Sequence, residues 1–154
     1  MQNITKSLKR LSRDATGNVT IEFGFVILFV ATLGIGAYDF GNLGYQKIAV
    51  TNAARAGSQY GAQDMSTAAN FPAMVQAARD DINDTADALT IDADNYYFCP
   101  GQGEVADESV LCDDGSYSYL YVEVTVQDDV DLLFPYPFVI SPQTVASTNT
   151  MRVR

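Results

Sequence analysis

The chain has 154 residues, carries 9 Lys+Arg against 19 Asp+Glu for a formal net charge of −10, and contains no histidine. That length holds one modest domain plus an anchor, and excludes two full domains. Residues 1–17 hold Lys6, Lys9, Arg10 and Arg13 against Asp14, a net of +3, while residues 18–154 hold 5 basic and 18 acidic residues, a net of −13. With no cluster of Lys/Arg on the body, a phosphate-binding surface is excluded and no nucleic-acid partner is expected.

Residues 1–16 are basic and rich in Ser and Thr, with no period beyond Ile4, Leu8 and Leu11. An uncharged run of 16 residues, Phe23–Tyr38, follows. At about 1.5 Å per residue it falls a little short of the ~30 Å hydrocarbon core, and extending it back through Asn18–Ile21 brings it to spanning length. Glu22 is the one charge inside that stretch. Basic residues before the run and an acidic body after it predict a cytoplasmic N-terminus and an exported C-terminal part. The expected division is a leader at 1–17, the transmembrane half of a long helix at 18–40, and an exported domain at 41–154.

No proline interrupts the chain from about Asn18 to Ala62, so one continuous helix is expected, with Val50, Ala53, Ala54 and Gly57 on one stripe. Gly61, Asp64 and Ser66 mark its end. A second helix is expected from Pro72, a favoured first-turn residue, with Met74, Val75, Ala78, Ile82, Ala86 and Leu89 at three- or four-residue steps. Asp80, Asp84 and Asp87 fall on its solvated face.

The period then changes. Tyr117–Gln127 alternates, with Leu120, Val122, Val124 and Val126 on one face and Tyr119, Tyr121, Glu123 and Thr125 on the other, as in a half-buried strand. Asn95–Cys99 is a shorter strand candidate and Gln143–Arg154 a last one. Between them Pro135 and Pro137 exclude a central strand at Phe134–Phe138. The expected fold class is α+β: a long N-terminal helix, its lower half transmembrane, packed on a second helix and a small antiparallel sheet of about three strands.

Cys99 and Cys112 enclose 12 residues. On the exported, oxidising side they read as a disulfide stapling a loop, worth roughly 3 kcal/mol by loop entropy; the spacing is unlike a redox C-x-x-C pair. Asp92, Asp94, Glu104, Asp107, Glu108, Asp113 and Asp114 crowd the same region. They read as a solvated acidic loop in preference to a calcium site, because the EF-hand spacing fails: Tyr97 stands where Gly is needed and Gly103 where Glu is needed. Tyr96, Tyr97, Tyr117, Tyr119 and Tyr121 form either a binding surface or simply one face of a sheet. With no histidine, no G-x-S-x-G, no phosphate-binding loop and no metal-ligand cluster, no catalytic residue, metal or cofactor is expected.

Gly17 is followed by Asn18-Val19-Thr20-Ile21, then Glu22-Phe23 and the apolar run. This G-x-x-x-x-E-[Y/F] arrangement behind a basic leader resembles the cleavage site of type IV prepilins. Two plainer readings stay open: a secretory signal cut near Gly36 or Ala37, and an uncleaved anchor with Glu22 at the interface. If the bond after Gly17 is cut, Glu22 becomes the fifth residue of the product. A carboxylate in lipid costs up to a few kcal/mol unless paired, and the new ammonium on Asn18 supplies a partner, in the same or a neighbouring subunit. Gly34, Ala37, Gly41 and Gly44 would let helices approach closely in lipid.

From Gly17 to about Ala62 the chain, GNVTIEFGFVILFVATLGIGAYDFGN and then IAVTNAARAG, resembles the TadE-like pseudopilins of the tight-adherence (Flp) pilus system. One departure is the absence of a proline shortly after Glu22. The resemblance implies processing after Gly17 by an aspartic prepilin peptidase, with Glu22 and Phe23 as recognition residues. It also implies a minor, pilin-like role in assembling or initiating the fibre, beside other pilin and pseudopilin subunits and the inner-membrane assembly platform. The implied location is the bacterial inner membrane, its lipid bilayer crossed once, with the C-terminal domain periplasmic and a route into an extracellular pilus. The alternative is a membrane-anchored envelope binding module that is not part of a fibre.

Overall fold

The computed structural model describes residues 15–82 and 89–153, and side chains from Val19 onward. The leader residues Lys6, Lys9, Arg10 and Arg13, together with Asp84, Ala86, Asp87 and Arg154, lie outside the described residues. The described elements, in chain order, are α1 (Ala15–Gly61), α2 (Met65–Ala68), α3 (Phe71–Ile82), β1 (Thr90–Cys99), β2 (Gly103–Val105), β3 (Tyr119–Val130) and β4 (Gln143–Arg152). The chain divides into two compact units, Met1–Phe40 and Gly41–Arg154.

In the first unit the described residues belong to α1, and their large apolar side chains, Phe25, Leu28 and Phe29 among them, are exposed. By length and composition α1 is apolar enough to cross a membrane: within Val19–Gly61 an 18-residue window has a mean hydropathy of 2.1, and no residue of that window is buried within the protein.

The second unit is the α+β fold expected from the sequence. Its antiparallel sheet has the order β2-β1-β3-β4. The alternation of β3 sends Leu120, Val122, Val124 and Val126 to one face, where they meet Val50, Ala53 and Ala54 of α1 and Met74 and Ala78 of α3. Small residues on α1 let it lie close on the β-branched row. Gly57 marks a tight approach: a Cβ there would come 2.9 Å from the Met74 carbonyl oxygen. Polar contacts flank this seam along β4. Lys47 Nζ donates to the Ala146 carbonyl, Thr51 Oγ1 lies 3.2 Å from Ser147 Oγ, and the buried Ser58 hydroxyl donates to Asn149 Oδ1 at 2.7 Å. The ascending order of these pairs makes α1 and β4 run in the same direction.

Several boundaries differ from expectation. α1 reaches back at least to Ala15, past the expected start near Asn18. α3 begins at Phe71, with Pro72 in its first turn, and its described part ends at Ile82; Leu89 is buried but stands just before β1. The sheet has four strands, not three. β1 is ten residues long because Ile91, Ala93, Asn95 and Tyr97 continue the inward alternation, while Asp92 and Asp94 point outward and disguise it as loop. Tyr117 is outside β3 and makes only an isolated bridge to Leu111. Met65–Ala68 forms a short helix that hydropathy alone does not announce. Asp64 caps it, accepting from the Ser66 and Thr67 N–H groups at 2.8 and 2.9 Å, while the Thr67 hydroxyl accepts from the Asp64 N–H at 3.0 Å.

Candidate functional site

The residues picked out for processing stand near the start of α1. The helix already includes Ala15, so the Gly17–Asn18 bond lies within it and Glu22 stands more than one turn inside. Glu22 and Phe23 are exposed. In the uncut chain the N-terminal dipole, which falls off within one turn, therefore does little for the Glu22 carboxylate. A cut after Gly17 would move the helix start to within about a turn of it, and would leave the backbone N–H groups of that turn without partners inside the helix.

Gly34, Ala37, Gly41 and Gly44 step by three and four residues along α1; a Cβ on Gly34, Gly41 or Gly44 would meet nothing within 4 Å. Among the described residues a Cβ at any of these three glycines has no neighbour, in contrast to Gly57.

The candidates within residues 41–154 fall at separate places. Cys99 and Cys112 form the expected disulfide, with Cα atoms 5.4 Å apart and both residues buried. The bridge ties the end of β1 to the loop that returns to β3. The acidic residues are not one loop. Asp92 and Asp94 lie on the outer face of β1 and Glu104 on β2, while Asp107 and Asp114 belong to turns.

Asp64, Asp107 and Asp114 share one local device. Each is followed two residues later by a serine whose hydroxyl and N–H both donate to the same carboxylate oxygen: Ser66, Ser109 and Ser116 respectively. The serine hydroxyl bond, with the backbone N–H bonds, holds all three carboxyls below the usual aspartate value. Those carboxylates are thus engaged by their own turns. Among the described residues no group of three or more Asp, Glu, His or Cys could hold a metal ion.

The tyrosine row does not share one face. Tyr97 points to the core side, whereas Tyr96, Tyr119 and Tyr121 join Phe98 on the outer face. There Tyr96 and Tyr121 stack at 5.8 Å between ring centroids, Phe98 meets Tyr121 edge-on at 5.9 Å, and the Arg152 guanidinium lies 4.6 Å over Tyr119. A shallow recess beside them is lined by Asp94, Tyr96, Phe98, Glu104 and Glu123. Its carboxylates and rings could accept a cationic group.

These features define an α+β domain carried on a helix that is long and apolar enough to cross a membrane. Residues 17–59 match the family of TadE-like proteins, a family of Tad pilus systems, so the resemblance drawn from the Gly17–Glu22–Phe23 motif and the IAVTNAARAG segment holds over those residues. No curated protein and no solved structure matches the chain. The family match associates the chain with a Tad pilus system.

Proposed function

We propose that the protein is a minor, pilin-like structural subunit that serves the assembly or initiation of a tight-adherence pilus. The observation that carries this reading is the extent of the family match, which begins at Gly17 and takes in Glu22, Phe23 and the apolar run. The precursor sits in the inner membrane with its basic leader in the cytoplasm and residues 41–154 exported. Prepilin peptidase cuts after Gly17, Asn18 becomes the N-terminus, and its ammonium neutralises a Glu22 carboxylate that would otherwise cost up to a few kcal/mol in lipid. Because a carboxylate and an ammonium on neighbouring subunits can pair equally well, the cut also gives helices a reason to stand side by side. Gly34, Ala37, Gly41 and Gly44 then allow close backbone approach to other pilin or pseudopilin helices and to the assembly platform.

The test is a Gly17→Ala replacement in the native cells, following both processing and surface fibres. Loss of both supports the reading. Loss of processing with unchanged fibres and adhesion overturns the assembly role. The outer-face aromatic and acidic recess favours one alternative, an anchored envelope binding module outside any fibre, and that alternative is the one left standing by the second result.

A further inference from the structure

The loop joining β3 to β4 is unlike the rest of the acidic domain. From Leu132 to Pro142 it carries no charge, and it contains Leu133, Phe134, Tyr136, Phe138, Val139 and Ile140. Phe138 is 97% exposed, Ile140 83% and Leu133 69%. Large apolar side chains left this bare on a compact domain mark a surface that something covers.

The position of the loop says what that is. α1 and β4 run in the same direction, with Thr51 beside Ser147 and Ser58 beside Asn149. Gln143, where β4 begins, precedes Ser147 by a strand length of about 13 Å. Gly41, where the domain begins, precedes Thr51 by a helix length of about 15 Å. The loop therefore projects from the end of the domain at which the chain continues into its apolar segment. The exposed Tyr45 belongs to the same end. Aromatic residues gathered at the level where an apolar helix leaves lipid are what a membrane–water interface favours, because a ring tolerates both sides. Asp128, Asp129 and Asp131 border the loop, so the surface it suits is zwitterionic and not anionic.

We infer that the Leu132–Pro142 loop is a second membrane contact, laying Phe138 and Ile140 into the interfacial layer of a zwitterionic bilayer and docking the domain onto the surface that its helix crosses. The inference rests on the membrane-anchored reading of α1 and is independent of any pilus role. For a minor subunit it would hold the domain against the membrane before assembly, and extraction into a fibre would have to strip the loop from lipid.

The chain has no tryptophan, so a single substitution makes a clean fluorescent reporter. Full-length protein carrying Phe138→Trp is reconstituted into dioleoylphosphatidylcholine vesicles with and without brominated acyl chains. Separate proteins carry Phe29→Trp, which reports on the anchor, and Tyr117→Trp, which reports on the stretch just before β3. The expected result is a blue-shifted emission from the loop reporter that brominated lipid quenches, as it does the anchor reporter, while the Tyr117→Trp protein stays open to aqueous iodide. A loop reporter open to iodide and indifferent to brominated lipid, with the anchor reporter quenched, overturns the inference and leaves the anchor intact. A loop reporter shielded from both quenchers also overturns it, in favour of a protein contact. Quenching of neither the loop nor the anchor reporter by brominated lipid removes the anchor reading and the inference together.

Discussion

Gly57 of α1 lies against the Met74 carbonyl of α3: a Cβ at Gly57 would come within 2.9 Å of that oxygen, 3.1 Å of Val124 Cγ1 and 3.2 Å of Ala78 Cβ. The nearest atom is backbone and the others are core, so nothing there moves cheaply. Gly57→Ala should therefore destabilise the domain by up to about 2 kcal/mol, an overpacking cost of ~1–3 kcal/mol offset by the ~1 kcal/mol that alanine gains in a helix. Gly41→Ala, which meets open space, should keep or raise stability. Thermal unfolding of the two variants side by side checks this.

The Cys99–Cys112 bridge closes a short loop. Replacing both cysteines by alanine should lower stability by about 3 kcal/mol through the entropy returned to the unfolded chain. Urea unfolding of the variant, and of the parent protein under a reductant, should give the same shift in midpoint.

Asp94 stands directly across from Glu123 in the β1–β3 register, like charge beside like charge. Such a pair costs roughly 0.2–1 kcal/mol. Asp94→Asn keeps an oxygen to accept from the Asn95 N–H, a bond of 2.8 Å, and removes the repulsion. Urea unfolding at neutral pH should show a small gain in stability that shrinks as salt is added.

The three Asp-x-Ser turns set an acid limb. Each carboxyl is held below its ordinary value, so its folded-state pKa is lower than its unfolded one. Their contribution is fully present above the unfolded pKa of about 3.9 and is lost as pH falls through the lowered folded values. A protein with Asp64→Asn, Asp107→Asn and Asp114→Asn should lose less stability across that window than the parent. Equal slopes in acid titrations followed by circular dichroism would contradict the assignment.

Much of this architecture is legible in the sequence because period and burial agree. The stripe Val50, Ala53, Ala54, Gly57 and the alternation Leu120, Val122, Val124, Val126 are the two halves of one interface, and each announces itself by spacing. The disulfide is legible from the cysteines alone. Other features are carried by signals that hydropathy does not register. β1 extends back to Thr90 through Asp92 and Asp94, whose polarity hides an inward row of Ile91 and Ala93. α2 rests on a capping box, Asp64 with Thr67, and a search for that spacing would find it. Asp107 and Asp114 stand out as charge, although the serine two residues on is what marks each as a turn. Two prolines exclude a strand at Phe134–Phe138, but the exposure of that loop follows only from three dimensions.

The proposed assembly role turns on a cut after Gly17, and a helix that already runs through that bond sharpens why: only after such a cut would Glu22 come within reach of a helix N-terminus and a free ammonium. Intact mass together with N-terminal sequencing of the protein from its native cells tests this most directly. The predicted result is a mature chain beginning at Asn18. A chain that retains Met1, or one that begins near Ala37 or Tyr38, would contradict it.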